Sequence, residues 1–300
     1  MPNRILLIDG NNLAVKLYFT LKLSTLDGIN TSILYGILNN IHSLTLRFDS
    51  YKTILVWDRG KSSYRTKIYP EYKANRVKTY EFVEFYKLLN ECRSILDEFH
   101  IPQVSLNDTE CDDLISILAS IFKKRFNILI VSDDKDFLQL IDDNVSLYNP
   151  RSKRIIDNKN ILQIYKLTPK QILLSQSLMG DSVDNIPGID GIGKKNAYNI
   201  ASKFIDIEDF IDNGSEILDQ NKPLFKRAMD QKDKVLLSYS LIELIKSPKL
   251  LNDRDEFISM VTNIIRNFNV VPNKFDVEKL LHKYELHSLA DNIDTFIKIL

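Results

Sequence analysis

Two short runs, residues 4–8 (RILLI) and 53–57 (TILVW), are apolar after their first residues, Arg4 and Thr53, with no alternation of polar and apolar positions, the pattern of strands buried on both faces. An aspartate follows each run, Asp9 and Asp58. Between them, residues 31–48 repeat apolar side chains at helical spacing, which predicts a strand–helix–strand unit. The same reading gives a helix over 81–100, a strand over 102–106, a helix over 110–123 opened by Thr109, and a strand over 127–132. Strands alternating with helices predict an α/β fold with a largely parallel sheet. Beyond about residue 150 helical stretches dominate and strand signals end at 153–157, so we expect an α/β core over 1–157 and a mainly helical region over 158–300. Within the latter, residues 204–300 carry a packing periodicity and no motif.

Composition adds little to the fold but narrows the function. Hydrophobic residues at 44% and charged residues at 27% are ordinary globular usage. The 40 Lys plus Arg balance 40 Asp plus Glu, so net charge gives no argument for nucleic acid, and any such case must rest on local patterning. Two cysteines without a C-x-x-C pair suit a reducing compartment. No run approaches eighteen apolar residues, and the apolar stretch at the start is too short for a signal peptide. We expect a soluble, cytoplasmic protein with no membrane contact.

The carboxylates are the first candidate chemistry. Asp9 and Asp58 belong at the carboxyl ends of parallel strands, where open α/β sheets bind ligands; capping a following helix would explain either one alone. Glu110, Asp112 and Asp113 crowd the turn after Thr109, where a capping box and the helix dipole account for acids as well as function does. Asp134 and Asp136, spaced alternately after the strand at 127–132, can point into one cleft, and Asp181 and Asp184 lie one turn apart if helix persists there. Two unit charges 4 Å apart repel by roughly 4 kcal/mol at an effective dielectric of 20, so such a set converging at one sheet edge requires counter-cations. With His42, His100, His282 and His287 all outside these segments, the oxygen-only set points to two Mg²⁺ or Mn²⁺ ions rather than zinc, and hence to phosphodiester hydrolysis.

Two further segments point to nucleic acid. Residues 59–78 set seven cations, Arg59, Lys61, Arg65, Lys67, Lys73, Arg76 and Lys78, against Glu71 alone, interleaved with Tyr64, Tyr69 and Tyr72. That mixture holds phosphates while stacking on unpaired bases, and its start beside Asp58 favours substrate contact over a merely solvated loop. Four of the nine glycines fall in residues 180–193. There GIDGIG, from Gly188 through Gly191 to Gly193, precedes Lys194 and Lys195, a hairpin between helices suited to gripping a phosphate backbone without reading bases.

The ordered motifs IDGNNL, VWDRG, YPEYKANR, ECDDL, SDDKDFLQL and GDSVDNIPGIDGIGKKNA, from residue 5 to about 203, resemble the 5′-nuclease family. That family comprises flap endonucleases, phage 5′–3′ exonucleases and the nuclease domain of bacterial replication-repair DNA polymerase. The resemblance implies a mixed-sheet core, a helical arch over about residues 70–100, and a helix-three-turn-helix element over about 180–203. It implies a metal-dependent 5′–3′ exonuclease and flap endonuclease acting on branched DNA or RNA–DNA primer duplexes in replication, as a monomer. Asp9, Asp58, Glu110, Asp112 and Asp113 would surround one ion, and Asp134, Asp136, Asp181 and Asp184 the second. Lys73 and Arg76 would contact the scissile phosphate, Tyr72 would stack on the 5′ end, and hairpin carbonyls would bind K⁺. Lys16 stands where relatives often carry Arg, Asp133 where they carry Gly, and Cys111 where Ala is common. Plentiful Lys, Ile and Asn suit an AT-biased bacterial genome or a phage, whose product would work in the host cytoplasm. Two other readings stay open. One is a catalytically inactive DNA-binding replication accessory of the same fold, which nine occupied acidic positions oppose; the other is a PIN-type RNase, which leaves the GIDGIG hairpin unexplained.

Overall fold

A computed structural model describes residues 3–76, 80–219, 222–298 and 300; Lys78 of the basic stretch lies outside them. The sheet contains β1 (Arg4–Asp9), β2 (Lys52–Val56), β3 (Gln103–Val104), β4 (Asn127–Val131), β5 (Val145–Asn149) and β6 (Arg154–Ile156), in the order β3-β2-β1-β4-β5-β6. Every neighbouring pair is parallel except β5 with β6, so the sheet is mixed and dominated by parallel pairing.

Side chains alternate across a strand, so β1 sends Ile5 and Leu7 to one face and Leu6 and Ile8 to the other, and each face is buried. This is why the central runs read as continuously apolar. Helix α1 (Gly10–Thr20), α2 (Ser32–Phe48) and α4 (Tyr80–Glu98) cover the second face. The short α3 (Ser63–Ile68) precedes α4, and α5 (Cys111–Phe122) packs on the first face. Within the core the fold adds α1, α3 and β5, which periodicity did not mark. The sequence Gly10-Asn11-Asn12 is a poor helix start, and it is rescued by the Asp9 carboxylate, which accepts the Asn12 N–H at 3.0 Å. The expected Thr109 cap does not form: α5 begins at Cys111 behind Glu110, and the Thr109 hydroxyl donates to the Asn107 carbonyl.

Beyond the sheet run α6 (Ile161–Tyr165), α7 (Pro169–Met179), α8 (Lys194–Ala201), α9 (Ile207–Ile217), α10 (Pro223–Asp230) and α11 (Lys232–Ile242). Helices α7 to α10 share an apolar core through Leu174, Leu178, Ile200, Phe210 and Phe225. Residues after 250 return to the sheet. Helix α12 (Arg254–Arg266) buries Phe257 and Val261 on the first face, while α13 (Lys274–Lys283), α14 (His287–Ala290) and α15 (Ile293–Ile297) bury Val277, Leu281, Leu289 and Phe296 on the second. The C-terminal segment therefore completes the α/β core.

Chain order runs outward from β1 to β3, then resumes at β4 on the other side of β1. Such a reversal opens a crevice at the carboxyl ends of the strands, where the crossing helices diverge. Asp9 ends β1, Asp58 follows β2 and Asp134 follows β4, so the topology delivers three remote carboxylates to that crevice.

Candidate active site

Asp9 is buried and held on three sides. Its Oδ1 accepts from Asn12 N–H at 3.0 Å, the Cys111 thiol lies 3.7 Å from the same oxygen, and Ser132 Oγ donates to Oδ2 at 2.8 Å. Ser132 also accepts the Asp134 N–H at 3.1 Å, tying β4's exit to β1's. Gly10 follows Asp9 because a Cβ there would stand 2.5 Å from the rigid Trp57 ring. Asp58 caps α5 from across the sheet, its Oδ1 accepting the Cys111 N–H at 2.7 Å, while its own N–H donates to Asn11 Oδ1 at 2.8 Å. Capping and site-building are thus one arrangement for both aspartates. Asp136 N–H donates to Asp134 Oδ1 at 2.9 Å, and Gln176 Nε2 donates to Asp136 Oδ1 at 2.5 Å.

These carboxylates feel one another. Desolvation pushes Asp9 up to about 7, opposed by the Asn12 N–H and reinforced by Asp58 and Asp134. Asp136 likewise rises to about 7, through desolvation and then Asp134, with Gln176 opposing and Asp181 and Asp184 adding repulsion. Asp112 lies well above the usual carboxylate range through desolvation and the charges of Asp134, Asp9, Asp58 and Asp136. Asp134 is raised by desolvation and by Asp184 and Asp181, against the Asp136 N–H. Asp58 remains exposed at the open mouth, yet the walls desolvate it and Glu110 repels it, with Lys73 and Arg76 opposing. Seven aspartates therefore share one field: Asp9, Asp58, Asp112, Asp134, Asp136, Asp181 and Asp184. Among the described residues no three His, Cys, Asp or Glu side chains stand at the spacing of an assembled metal site. The donors nonetheless fit hard divalent cations, since they offer carboxylate oxygen and no imidazole.

Several candidates fall elsewhere. Asp113 is fully buried in the first face, paired through both oxygens with Arg65 and accepting the Ile245 N–H at 3.0 Å. It points away from the crevice because adjacent helical residues project about 100° apart. Arg65 is 2% exposed, its Nε donating to the Leu241 carbonyl at 2.6 Å, so it is a core cation and no DNA contact. Tyr72 is 3% exposed and donates to Glu110 Oε2 at 2.9 Å, leaving no free face for a base. Asp181 and Asp184 are not on a helix, since α7 ends at Gly180 and the Asp181 carboxylate caps the turn that follows through the Val183 N–H.

The basic stretch becomes a wall of this pocket. Lys73 Nζ bonds Glu110 Oε1 at 2.7 Å and lies 3.6 Å from Asp184, with which Arg76 also pairs. Burial would raise Glu110, but Lys73 and Arg65 hold it below its ordinary range. The wall is stitched to the 181–185 turn by Lys73 N–H to the Asp184 carbonyl, Asn75 Nδ2 to the Ser182 carbonyl, and Asn185 Nδ2 to the Glu71 carbonyl. Arg59, Lys61 and Lys67 are exposed. The two departures compensate: Lys16 Nζ lies 3.3 Å from Asp133 Oδ2. Gly191, Gly193, Lys194 and Lys195 form an exposed hairpin tip between α7 and α8, braced by Arg227 donating to the Asp190 carbonyl at 2.6 Å, with Gly188 half-buried at its base.

Sequence reasoning missed Asn11, Ser132, Tyr86 and Gln176. Asn11 and Ser132 sit inside quoted motifs and were masked by neighbouring acids. Tyr86 on α4 is 48% exposed and senses Asp58, Arg76 and Lys73, placing its ring at the pocket mouth. A separate cleft of about 870 Å³ between α5 and the N-terminus of α7 is lined by Lys123, Gln139, Asp142 and Lys170, and holds none of these aspartates.

The comparisons agree with this geometry. The family model described as 5'-3' exonuclease, N-terminal resolvase-like domain, matches residues 4–166, and that described as 5'-3' exonuclease, C-terminal SAM fold, matches residues 167–265. The 5'-3' exonuclease of Aquifex aeolicus is 31% identical over 294 residues, covering 97% of this chain and 96% of that protein. The 5'-3' exonuclease of Buchnera aphidicola subsp. Schizaphis graminum is 33% identical over 279 residues, covering 87% and 95%. The bacteriophage T5 flap endonuclease, solved as a pseudo-enzyme–product complex with DNA and metal ions, superposes with a TM-score of 0.75 at 22% identity, covering 88% of this chain and 99% of that one, a likeness of fold. With both domains matched in order across a crevice built from the motif carboxylates, the chain belongs to the 5'-3' exonuclease family of nucleases.

Proposed function

We propose that this nuclease depends on divalent metal and cuts branched DNA from a free 5′ end, as a 5′–3′ exonuclease and flap endonuclease. The observation that carries the reading is the mutual repulsion of seven aspartates in one crevice, a cost that pays only if cations enter. Asp9, Asp58 and Asp112 would hold one Mg²⁺ or Mn²⁺, and Asp134, Asp136, Asp181 and Asp184 the other. Such a pair supplies charge neutralisation and stabilises the charge that develops on phosphodiester oxygens. The T5 relative, solved with DNA and metal ions, supports both partners.

The chain's own residues supply the positioning. The uncapped N-terminus of α8 behind Gly193, with Lys194 and Lys195, would hold duplex phosphates without regard to sequence. Lys73 and Arg76 pair with Glu110 and Asp184 at the edge of the carboxylates, and a scissile phosphate would draw them from these partners. Release of Lys73 would unpair Glu110 Oε1, an oxygen that could then join the first metal set, while Tyr72 keeps Oε2. Tyr86, rather than Tyr72, offers an exposed ring on which an unpaired 5′ base can stack. Tyr86→Leu is expected to weaken binding of a 5′-flap substrate by about 1–3 kcal/mol while leaving blunt-duplex binding intact.

The test is incubation of the full chain with labelled 5′-flap DNA and Mg²⁺, with and without EDTA. Chelator-sensitive release of the flap supports the reading. A substrate that shifts on a gel but stays uncut overturns it in favour of an inactive DNA-binding accessory.

A further inference from the structure

We infer that Gln176, on a helix with no metal motif, is a positioning residue that sets Asp136 for a divalent cation and locks it to the DNA hairpin. The inference rests on the metal-dependent reading above. Gln176 Nε2 donates to Asp136 Oδ1 at 2.5 Å. An ionised carboxylate, the form that holds a cation, only accepts, so the amide turns its nitrogen to Asp136 and its oxygen away. That oxygen, Oε1, is buried and has no hydrogen-bond partner among the described residues. An unpaired buried carbonyl is costly, a cost that a side chain used only for packing would avoid. Carried on the same amide that donates to Asp136, Oε1 is an unpaired acceptor among the described residues, one side chain away from the proposed cation site.

The same residue reaches the hairpin through rigid backbone. The Gln176 carbonyl accepts the Gly180 N–H at 2.8 Å, closing α7. Gly180 and Gly188 then meet backbone to backbone. A Cβ on Gly180 would stand 2.3 Å from Gly188 N, and one on Gly188 would stand 1.8 Å from the Met179 carbonyl oxygen. Ile189 N–H donates to the Leu178 carbonyl at 2.9 Å, and Asp181 and Ile186 exchange backbone hydrogen bonds at 3.0 and 2.7 Å. Among the described residues hairpin base and helix end meet backbone to backbone, so a duplex held at Gly191 to Lys195 has a stiff path to the Asp136 carboxylate. The signal in the sequence is weak: Gln176 is the one long polar side chain in ILLSQSLM.

The test uses Gln176→Met, which keeps length and volume and removes both donor and acceptor. Mn²⁺ affinity is measured on the full chain without DNA by electron paramagnetic resonance, alongside melting temperature in EDTA. Wild-type protein is expected to bind Mn²⁺, and the variant to bind about tenfold more weakly, as loss of an outer hydrogen bond to a metal ligand does. Its metal-free melting temperature is expected to stay close to wild type, because removal of the unpaired carbonyl offsets loss of the hydrogen bond to Asp136. Equal Mn²⁺ affinity in the two proteins overturns the positioning role and leaves the metal-dependent reading intact. A lowered metal-free melting temperature with unchanged affinity assigns Gln176 to packing and overturns it too. If the wild type binds no Mn²⁺, the metal-dependent reading fails first.

Discussion

Asp112 and Asp113 are chemically identical neighbours on the first turn of α5, and the fold gives them opposite work. Asp112 faces other carboxylates, and its ionisation is opposed by desolvation and like charge. Asp113 faces Arg65 and a backbone N–H, and every oxygen is satisfied in a dry interior. One side of the turn accumulates repulsion that a ligand can relieve, and the other removes it by pairing. The contrast teaches that a buried carboxylate signals function when its partners repel it, and architecture when they neutralise it.

Neutralising substitutions on the two sides break the comparison most sharply. Asp112→Asn is expected to lower the single-turnover cleavage rate about a thousandfold, about 4 kcal/mol of barrier, while raising metal-free stability because a repelled charge is removed. Parallel loss of activity and stability would show that Asp112 is structural. Asp113→Asn should do the reverse to stability, costing about 3–5 kcal/mol in urea unfolding by stranding the Arg65 guanidinium in the core. A cost under about 1 kcal/mol would place that pair in solvent.

The pH dependence of the metal-free protein sharpens the same contrast. Folded Asp9 and Asp136 titrate near 7, above the roughly 3.9 of an unfolded aspartate, so the folded state holds more protons through that window. Stability should therefore fall as pH rises from about 4 to about 7, on the order of 1 kcal/mol per carboxylate for each pH unit, and Mg²⁺ should flatten the slope. Calorimetric scans in EDTA that show stability rising across that window would contradict the repulsive pocket. The smallest effect lies at the hairpin: Lys195→Ala should lower the slope of log affinity against log salt by about 0.9 on duplex DNA. An unchanged slope would remove that lysine from the interface.

Much of this was legible without coordinates. Continuous apolar runs at 4–8 and 127–132 required strands buried on both faces, and Asp9 and Asp134 placed after them had to meet at one sheet edge. Short elements were not legible. The five residues of β5 and the Gly-Asn-Asn start of α1 have weak local preference and are held by pairing and by the Asp9 cap. Charge sign was legible in the 59–78 stretch, but the fate of each charge was not. Arg65 and Tyr72 share a motif-rich segment with Lys73 and Arg76, and only packing against Leu241 and Glu110 decides that the first two turn inward.

The sequence alone determined the family, the central strands of the sheet and the acidic character of the crevice, because those depend on residue type and period along the chain. The tertiary structure decided which of two adjacent aspartates meets an arginine, which tyrosine keeps an open ring, and that Gln176 of α7 reaches Asp136 across 40 positions. Those outcomes depend on distance and desolvation between segments far apart in the chain, and one-dimensional order carries neither.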